Sequence, residues 1–195
     1  YKLEHFRRIF TFSDRNEVSS ITVICGPMFS GKTKSLISTI AERLNDNKSV
    51  IVFKPLLDNR YSEDEVVSHD KDTVEARNIE DPSEMFQFIA KADVVAIDEA
   101  QFFNDSLVEV VEEIAAMGKE VVLAGLDLDY KSLPFGPMPL LISKADHVIK
   151  LHSVCTFCSA KAKFTHRISE DSGTVLLGEK DKYVPLCRSC YKELT

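Results

Sequence analysis

The chain has 195 residues, of which 44% are hydrophobic, enough for one domain with a substantial core and a small appendage. No apolar run approaches membrane-spanning length. The net charge is −7, from 24 basic and 31 acidic side chains, which counts against a dedicated duplex-binding protein, whose affinity rests on phosphate contacts.

In chain order, the opening segment YKLEHFRRIFTFSDRNEVSS carries neither an apolar signal core nor a small-residue cleavage site, so no export signal is read. Residues 1–20 are taken as an N-terminal extension, either disordered or appended. The first firm element is ITVIC, Ile21 to Cys25, a β-branched run expected as a buried strand. KTKSLISTIAERLN follows as a helix with Leu36, Ile37, Ile40, Ala41 and Leu44 on one face. SVIVFK reads as a second buried strand, and the charged, aperiodic stretch around DNRYSEDEVVSHDKD as a loop. Pro82 is expected to open a short helix over Met85, Phe86 and Ile89. DVVAIDE is a third strand that ends in acids, placed where it can neighbour the first.

Ser106 and Glu109 have capping-box spacing ahead of the apolar face Leu107, Val110, Val111 and Ile114, with Gly118 as the stop. EVVLAGL and HVIKL complete the strands. Apolar strands alternating with helices imply an α/β domain, its parallel sheet covered on both faces. The texture changes after Leu151, so one domain is assigned to residues 21–152 and a second, cysteine-bearing domain to 153–195.

Chemistry concentrates first at GPMFSGKT, which matches GxxxxGK[ST] between a predicted strand and a predicted helix. Gly26, Pro27, Met28, Phe29, Ser30 and Gly31 form a loop whose backbone N–H groups can turn toward phosphate oxygens, aided by the positive end of the helix. Lys32 would reach the β- and γ-phosphates and the Thr33 hydroxyl would bind Mg²⁺. ATP or GTP is therefore the expected ligand. Asp98 and Glu99 lie at the C-terminal edge of a strand, where ligands gather in open α/β sheets. Asp98 fits the magnesium site. Glu99 faces the other way if the strand persists, free for a separate task.

Cys155, Cys158, Cys187 and Cys190 form two CxxC pairs, suited to a closed tetrahedral Zn²⁺ site with no open position for a catalytic water. The intervening segment, 159–186, exceeds the usual ribbon spacer of about 15–20 residues. Its TVLLG stretch reads either as a lid near the phosphate site or as an ordinary hairpin. Cys25 reads as a small buried strand residue.

In this order and register, GPMFSGKT, DNRY at 58–61, IDEAQFF at 97–103, GLDLDY…LPFGPMP at 125–139 and the terminal DKYVPLCRSC closely resemble the zinc-bearing thymidine kinases of cytosolic and bacterial type. The resemblance spans about residues 21–193. It implies a RecA-like P-loop domain with a zinc domain bearing a lasso loop. The implied reaction passes the γ-phosphoryl of ATP to the 5′-hydroxyl of thymidine, and of deoxyuridine too, giving dTMP and ADP in nucleotide salvage. Position by position, Glu99 falls at the catalytic base, and Asp58, Asn59 and Arg60 lie near the phosphates. Gln101 joins the nucleotide set with Asp98. Met28, Phe102, Leu126, Tyr130, Phe135 and Thr165 fall on the thymine pocket, and Thr174, Val175, Leu176, Leu177, Gly178 and Tyr183 on the lasso.

The resemblance further implies cofactors ATP, Mg²⁺ and structural Zn²⁺, a homotetramer, feedback by dTTP, a cytoplasmic location, and no nucleic-acid or membrane partner. From the residues alone, Arg60 reads first as a solvated loop residue, and Phe102, Tyr130 and Phe135 equally as core aromatics. Tyr130 stands where many family members carry Phe, and LDLDY is not the commonest form of its segment. The DEAQ letters also suit a nucleic-acid motor, and a Cys₄-lid adenylate kinase is a third reading. The single core, the acidic chain and the C-terminal position of the cysteines weigh against both.

Overall fold

The computed structural model describes residues 19–56, 65–67, 73–168 and 182–194. Its centre is a six-stranded sheet in which every pairing is parallel. The strands are β1 (Ile21–Cys25), β2 (Val50–Pro55), β5 (Arg77–Ile79), β6 (Val94–Ile97), β7 (Glu120–Gly125) and β8 (His147–Lys150). Their order across the sheet is β5-β2-β6-β7-β1-β8. The β-branched runs read as strands are the strands, and the core of the sheet is dry: Val23, Ile24, Val95, Ile97 and Leu123 have no exposed surface.

Helix α1 (Lys32–Asn45) buries Leu36, Ile37 and Ile40 on one face of the sheet, while α2 (Ser106–Ala116) buries Leu107, Val111 and Ile114 on the other. A shorter helix, α3 (Met138–Lys144), packs Met138 and Leu141 into the same layer as α2. Deeply buried aliphatic groups of this kind each contribute about 1.5–3 kcal/mol, so the two layers fix the ends of the strands that carry the site.

Several expectations are corrected. The acid-bearing strand β6 does not neighbour β1: β7 lies between them, paired to both. Hydrophobic pattern identifies a buried strand but carries no information about lateral order. The stretch read as a loop contains a short antiparallel pair, β3 (Glu65–Val67) with β4 (Thr73–Glu75), and then β5 at the sheet edge. The sheet is not covered on both faces throughout, because β8 is exposed along its whole length, Val148 and Ile149 included.

The Ser106–Glu109 capping box does not form. Ser106 is already the first helical residue, and the Asn104 side chain accepts both its amide, at 2.9 Å, and its hydroxyl. A capping box does exist earlier in the chain, between Asp81 and Glu84, and starts a 3₁₀ helix over Pro82–Gln87. Gly118 ends α2 as expected, with φ 86.

Beyond β8 the chain builds two small antiparallel pairs, β9 (Ser153–Val154) with β10 (Lys161–Ala162) and β11 (Phe164–Arg167) with β12 (Tyr183–Leu186), followed by helix α4 (Arg188–Leu194). Their core is a separate cluster of Cys155, Ala162, Leu186 and Cys187. No described helix is long and apolar enough to cross a membrane.

Candidate functional site

The loop from Gly26 to Gly31 leaves the C-terminal end of β1 and enters α1 directly. Gly26 has φ 148, and a Cβ there would stand 2.5 Å from the Leu151 carbonyl oxygen, so the close approach of that segment requires glycine. Phe29 also holds a positive φ, 60. Ser30 Oγ is buried with no hydrogen-bond partner, a polar atom inside the loop that an added phosphate oxygen would satisfy. Lys32 donates to the Pro27 carbonyl at 2.8 Å across the loop. Burial pushes its ammonium pKa down, against the pull of Glu99, Asp98 and Asp127.

Thr33 is the second residue of α1 and donates to Asp98 Oδ2 at 3.3 Å. Asp98 is 4% exposed. Burial, and then the charge of Glu99, raise its carboxyl to about 7. A buried carboxylate held toward neutrality beside a hydroxyl is a hard-oxygen pair that a divalent cation would complete. The residues present therefore fit Mg²⁺, which Thr33 and Asp98 would hold.

Strand β6 ends at Ile97, so the expected alternation of a continuing strand does not separate the two acids. Glu99 instead takes φ 53 and ψ 37, a left-handed turn that starts a one-turn 3₁₀ helix, Ala100–Phe102. The separation exists all the same. Asp98 faces Thr33, whereas the Glu99 carboxylate accepts from the Gln101 side-chain amide. Gln101, expected among nucleotide ligands, is buried and has its side chain engaged by Glu99 and by the Leu126 amide.

Near this turn Phe102 and Phe135 meet edge to face, ring centres 5.4 Å apart. Both are only partly buried, so they line a surface instead of filling the core. The C-terminal unit closes on the same region. Thr165 Oγ1 accepts the Met28 amide at 3.0 Å, and the Ser153 hydroxyl donates to the Phe29 carbonyl at 3.1 Å. Tyr191 OH donates to the Tyr130 carbonyl at 3.2 Å. The Arg167 guanidinium lies 3.8 Å over the Tyr130 ring and donates to Tyr183 OH at 2.9 Å. Met28, Tyr130, Thr165 and Tyr183 are thereby brought together. Asp58, Asn59, Arg60 and Thr174 to Gly178 lie outside the described residues.

The ligand atoms of Cys155, Cys158, Cys187 and Cys190 all lie within 4.8 Å of one another, and none of these cysteines is in a disulfide. Cys158 and Cys187 sulfurs are 3.5 Å apart. Burial raises the Cys155 thiol, but backbone amides of Cys187, Cys158 and Phe157 outweigh it and bring it down to about 6. Cys190 moves well above the ordinary thiol range through its bonds with Cys187 and Cys158. Converging sulfurs cannot all ionise without a cation among them, and an all-thiolate set suits zinc.

Two residues of this region were not singled out in the sequence. Asp127 follows β7 as Asp98 follows β6, at the end of an apolar run, and that shared pattern was the available signal. It is buried, pairs with Lys150 at 2.7 Å, and leaves Oδ1 without a partner. Arg167 carried no local signal, since a single arginine in a mixed stretch reads as surface.

With the geometry in place, relatives can be compared. The pattern of the family described as "Thymidine kinase" matches residues 19–191. The chain is 46% identical over 172 residues to "Thymidine kinase" of Bacteroides fragilis, covering 88% of this chain and 86% of that one. With the protein of the same name from Bacteroides thetaiotaomicron it shares 47% over 171 residues, 88% and 86% of the two chains. With that of a Rhodothermus species it shares 43% over 175 residues, 90% and 82%. The chain belongs to the thymidine kinase family.

Proposed function

We propose that the protein transfers the γ-phosphoryl group of ATP to the 5′-hydroxyl of thymidine, and of deoxyuridine, releasing dTMP and ADP. The observation that carries this reading is the division of labour at the end of β6. One acid, Asp98, bonds Thr33 under the phosphate loop, and its neighbour Glu99 bonds Gln101 instead. Phosphoryl transfer needs positioning and charge neutralisation more than covalent chemistry, and this arrangement offers both.

In this reading the loop from Gly26 to Thr33 binds the triphosphate through backbone amides, and Lys32 exchanges its bond to Pro27 for phosphate oxygens. Glu99 orients the nucleoside hydroxyl and accepts its proton as the bond to phosphorus forms. Magnesium, held by Thr33 and Asp98, supplies charge neutralisation at the phosphates. Met28, Phe102, Leu126, Tyr130, Phe135 and Thr165 face the base, with Tyr183 at the root of the segment that continues through Thr174–Gly178. Asp58, Asn59 and Arg60 join the phosphate side. Zinc is structural, pinning the segment that carries Thr165 and Arg167.

Assembly as a homotetramer, feedback by dTTP and a cytoplasmic location follow the family resemblance. The exposed apolar edge strand β8, with Val148 and Ile149, supports association of copies, since unpaired apolar edges are rarely left uncovered.

The test is to incubate the protein with Mg-ATP and a panel of nucleosides and to follow transfer of the terminal phosphate. Transfer to thymidine and deoxyuridine, with purine nucleosides inert, is expected. No transfer, with ATP hydrolysis stimulated by single-stranded DNA instead, would overturn the reading.

A further inference from the structure

Gln101 has a job that neither the phosphate loop nor the nucleoside pocket explains. It lies two residues after Glu99, in the one-turn 3₁₀ helix, and is 2% exposed. Its side-chain amide is shared between two partners of opposite kind. The Leu126 backbone N–H, which can only donate, meets Oε1 at 2.9 Å. That leaves Nε2 for the Glu99 carboxylate, an acceptor when ionised. Turning the amide over would set donor against donor and acceptor against acceptor, so the orientation is imposed by both neighbours.

Two neighbouring glycines lie close against Gln101. A Cβ on Gly125 would stand 2.8 Å from its Oε1 and 2.6 Å from Met138 Sδ. A Cβ on Gly136, at φ 48, would stand 2.3 Å from its carbonyl oxygen. The end of β7 and the turn before α3 therefore close on this one residue, and each does so with a glycine. Glu99 itself occupies a left-handed conformation, φ 53, sparsely populated by residues with a side chain and held only where neighbours determine it.

We propose that Gln101 is a positioning residue for Glu99. It holds the carboxylate through Nε2 while anchoring itself, through Oε1, to the backbone of Leu126 at the nucleoside pocket. Base and pocket are thereby referenced to a single buried amide. The proposal rests on the reading of Glu99 as the base. It differs from the expectation that Gln101 binds the nucleotide, each end of its amide having a partner within the protein.

The test is a double-mutant cycle of Gln101→Met and Glu99→Ala, read as thymidine turnover and, separately, as ATP affinity by calorimetry. Methionine keeps the volume and removes both polar ends. In the otherwise native protein Gln101→Met is expected to lower kcat on the order of 10- to 100-fold, the scale of a misplaced catalytic group. ATP affinity should stay within about twofold and thymidine KM should change less than kcat. In the Glu99→Ala background the same change should cost less than about threefold, because the group it positions is gone.

Losses that multiply across the cycle, or a matching loss of ATP affinity, would overturn the proposal. A second measurement needs no change at Gln101. In ¹⁵N-labelled protein its side-chain amide protons should exchange slowly with water, and Glu99→Ala should accelerate one of them; unchanged exchange would also overturn it. If native protein phosphorylates no nucleoside, the functional reading fails, while the exchange result still decides whether Gln101 holds Glu99.

Discussion

Thr165, in the small C-terminal unit, accepts the backbone amide of Met28 in the phosphate loop at 3.0 Å, across 137 residues of sequence. Ser153 makes a parallel contact to the carbonyl of Phe29, the next residue in the loop. The cysteine-bearing unit is thus hydrogen-bonded to the loop proposed to hold phosphate, and both contacts fall where Phe29 holds a positive φ.

Thr165→Val keeps the shape of the side chain and leaves the Met28 amide without its acceptor. Leaving this part-buried amide unsatisfied costs up to about 3 kcal/mol. The denaturation midpoint should fall accordingly and the KM for thymidine should rise, with zinc content unchanged. Urea titration, steady-state kinetics and metal analysis on one preparation check this.

The buried Asp98 makes stability depend on pH in a defined direction. Its folded carboxyl is raised from 3.8 to about 7 by burial and by Glu99. The folded protein therefore keeps a proton that the unfolded chain releases. The stabilisation is fully present below the unfolded value and is lost as pH rises through the folded one. In magnesium-free buffer the melting temperature should decline between about pH 4 and about pH 7, and Asp98→Asn should flatten that decline. An equal slope in the variant would mean that another group is responsible.

Zinc should be held at about one ion per chain. Cys158 is the exposed member of the cluster, so Cys158→Ser disturbs packing least while removing a thiolate. It should release the metal and open residues 153–194 to limited proteolysis. Through Thr165 and Ser153 the damage should reach the phosphate loop as weaker thymidine use. Retained zinc with unchanged protease resistance would remove the metal from the architecture.

Much of this was legible in the sequence because its causes are local. GPMFSGKT needs only a strand before it and a helix after it, and both are there; the paired CxxC motifs converge as their chemistry requires. What was not legible depends on lateral placement. Nothing local to DVVAIDE says that β7 will lie between it and β1. Asn104 outcompetes the expected cap because two donors of Ser106 lie within its reach. Gln101 gained its role only when Leu126, Gly125 and Gly136, distant in sequence, were folded against it. Asp127 and Arg167 became notable only through burial and through Lys150, Tyr130 and Tyr183.

The division between Asp98 and Glu99 is tested most directly by Glu99→Gln, measured as labelled phosphate transfer to thymidine and as ATP affinity on the same preparation. Turnover should fall by roughly 10²- to 10⁴-fold, the contribution of a positioned general base, with ATP affinity nearly unchanged because Thr33, Lys32 and Asp98 are untouched. Turnover that survives the change, or ATP binding that collapses with it, would contradict the assignment of Glu99 to the nucleoside and of Asp98 to the phosphates.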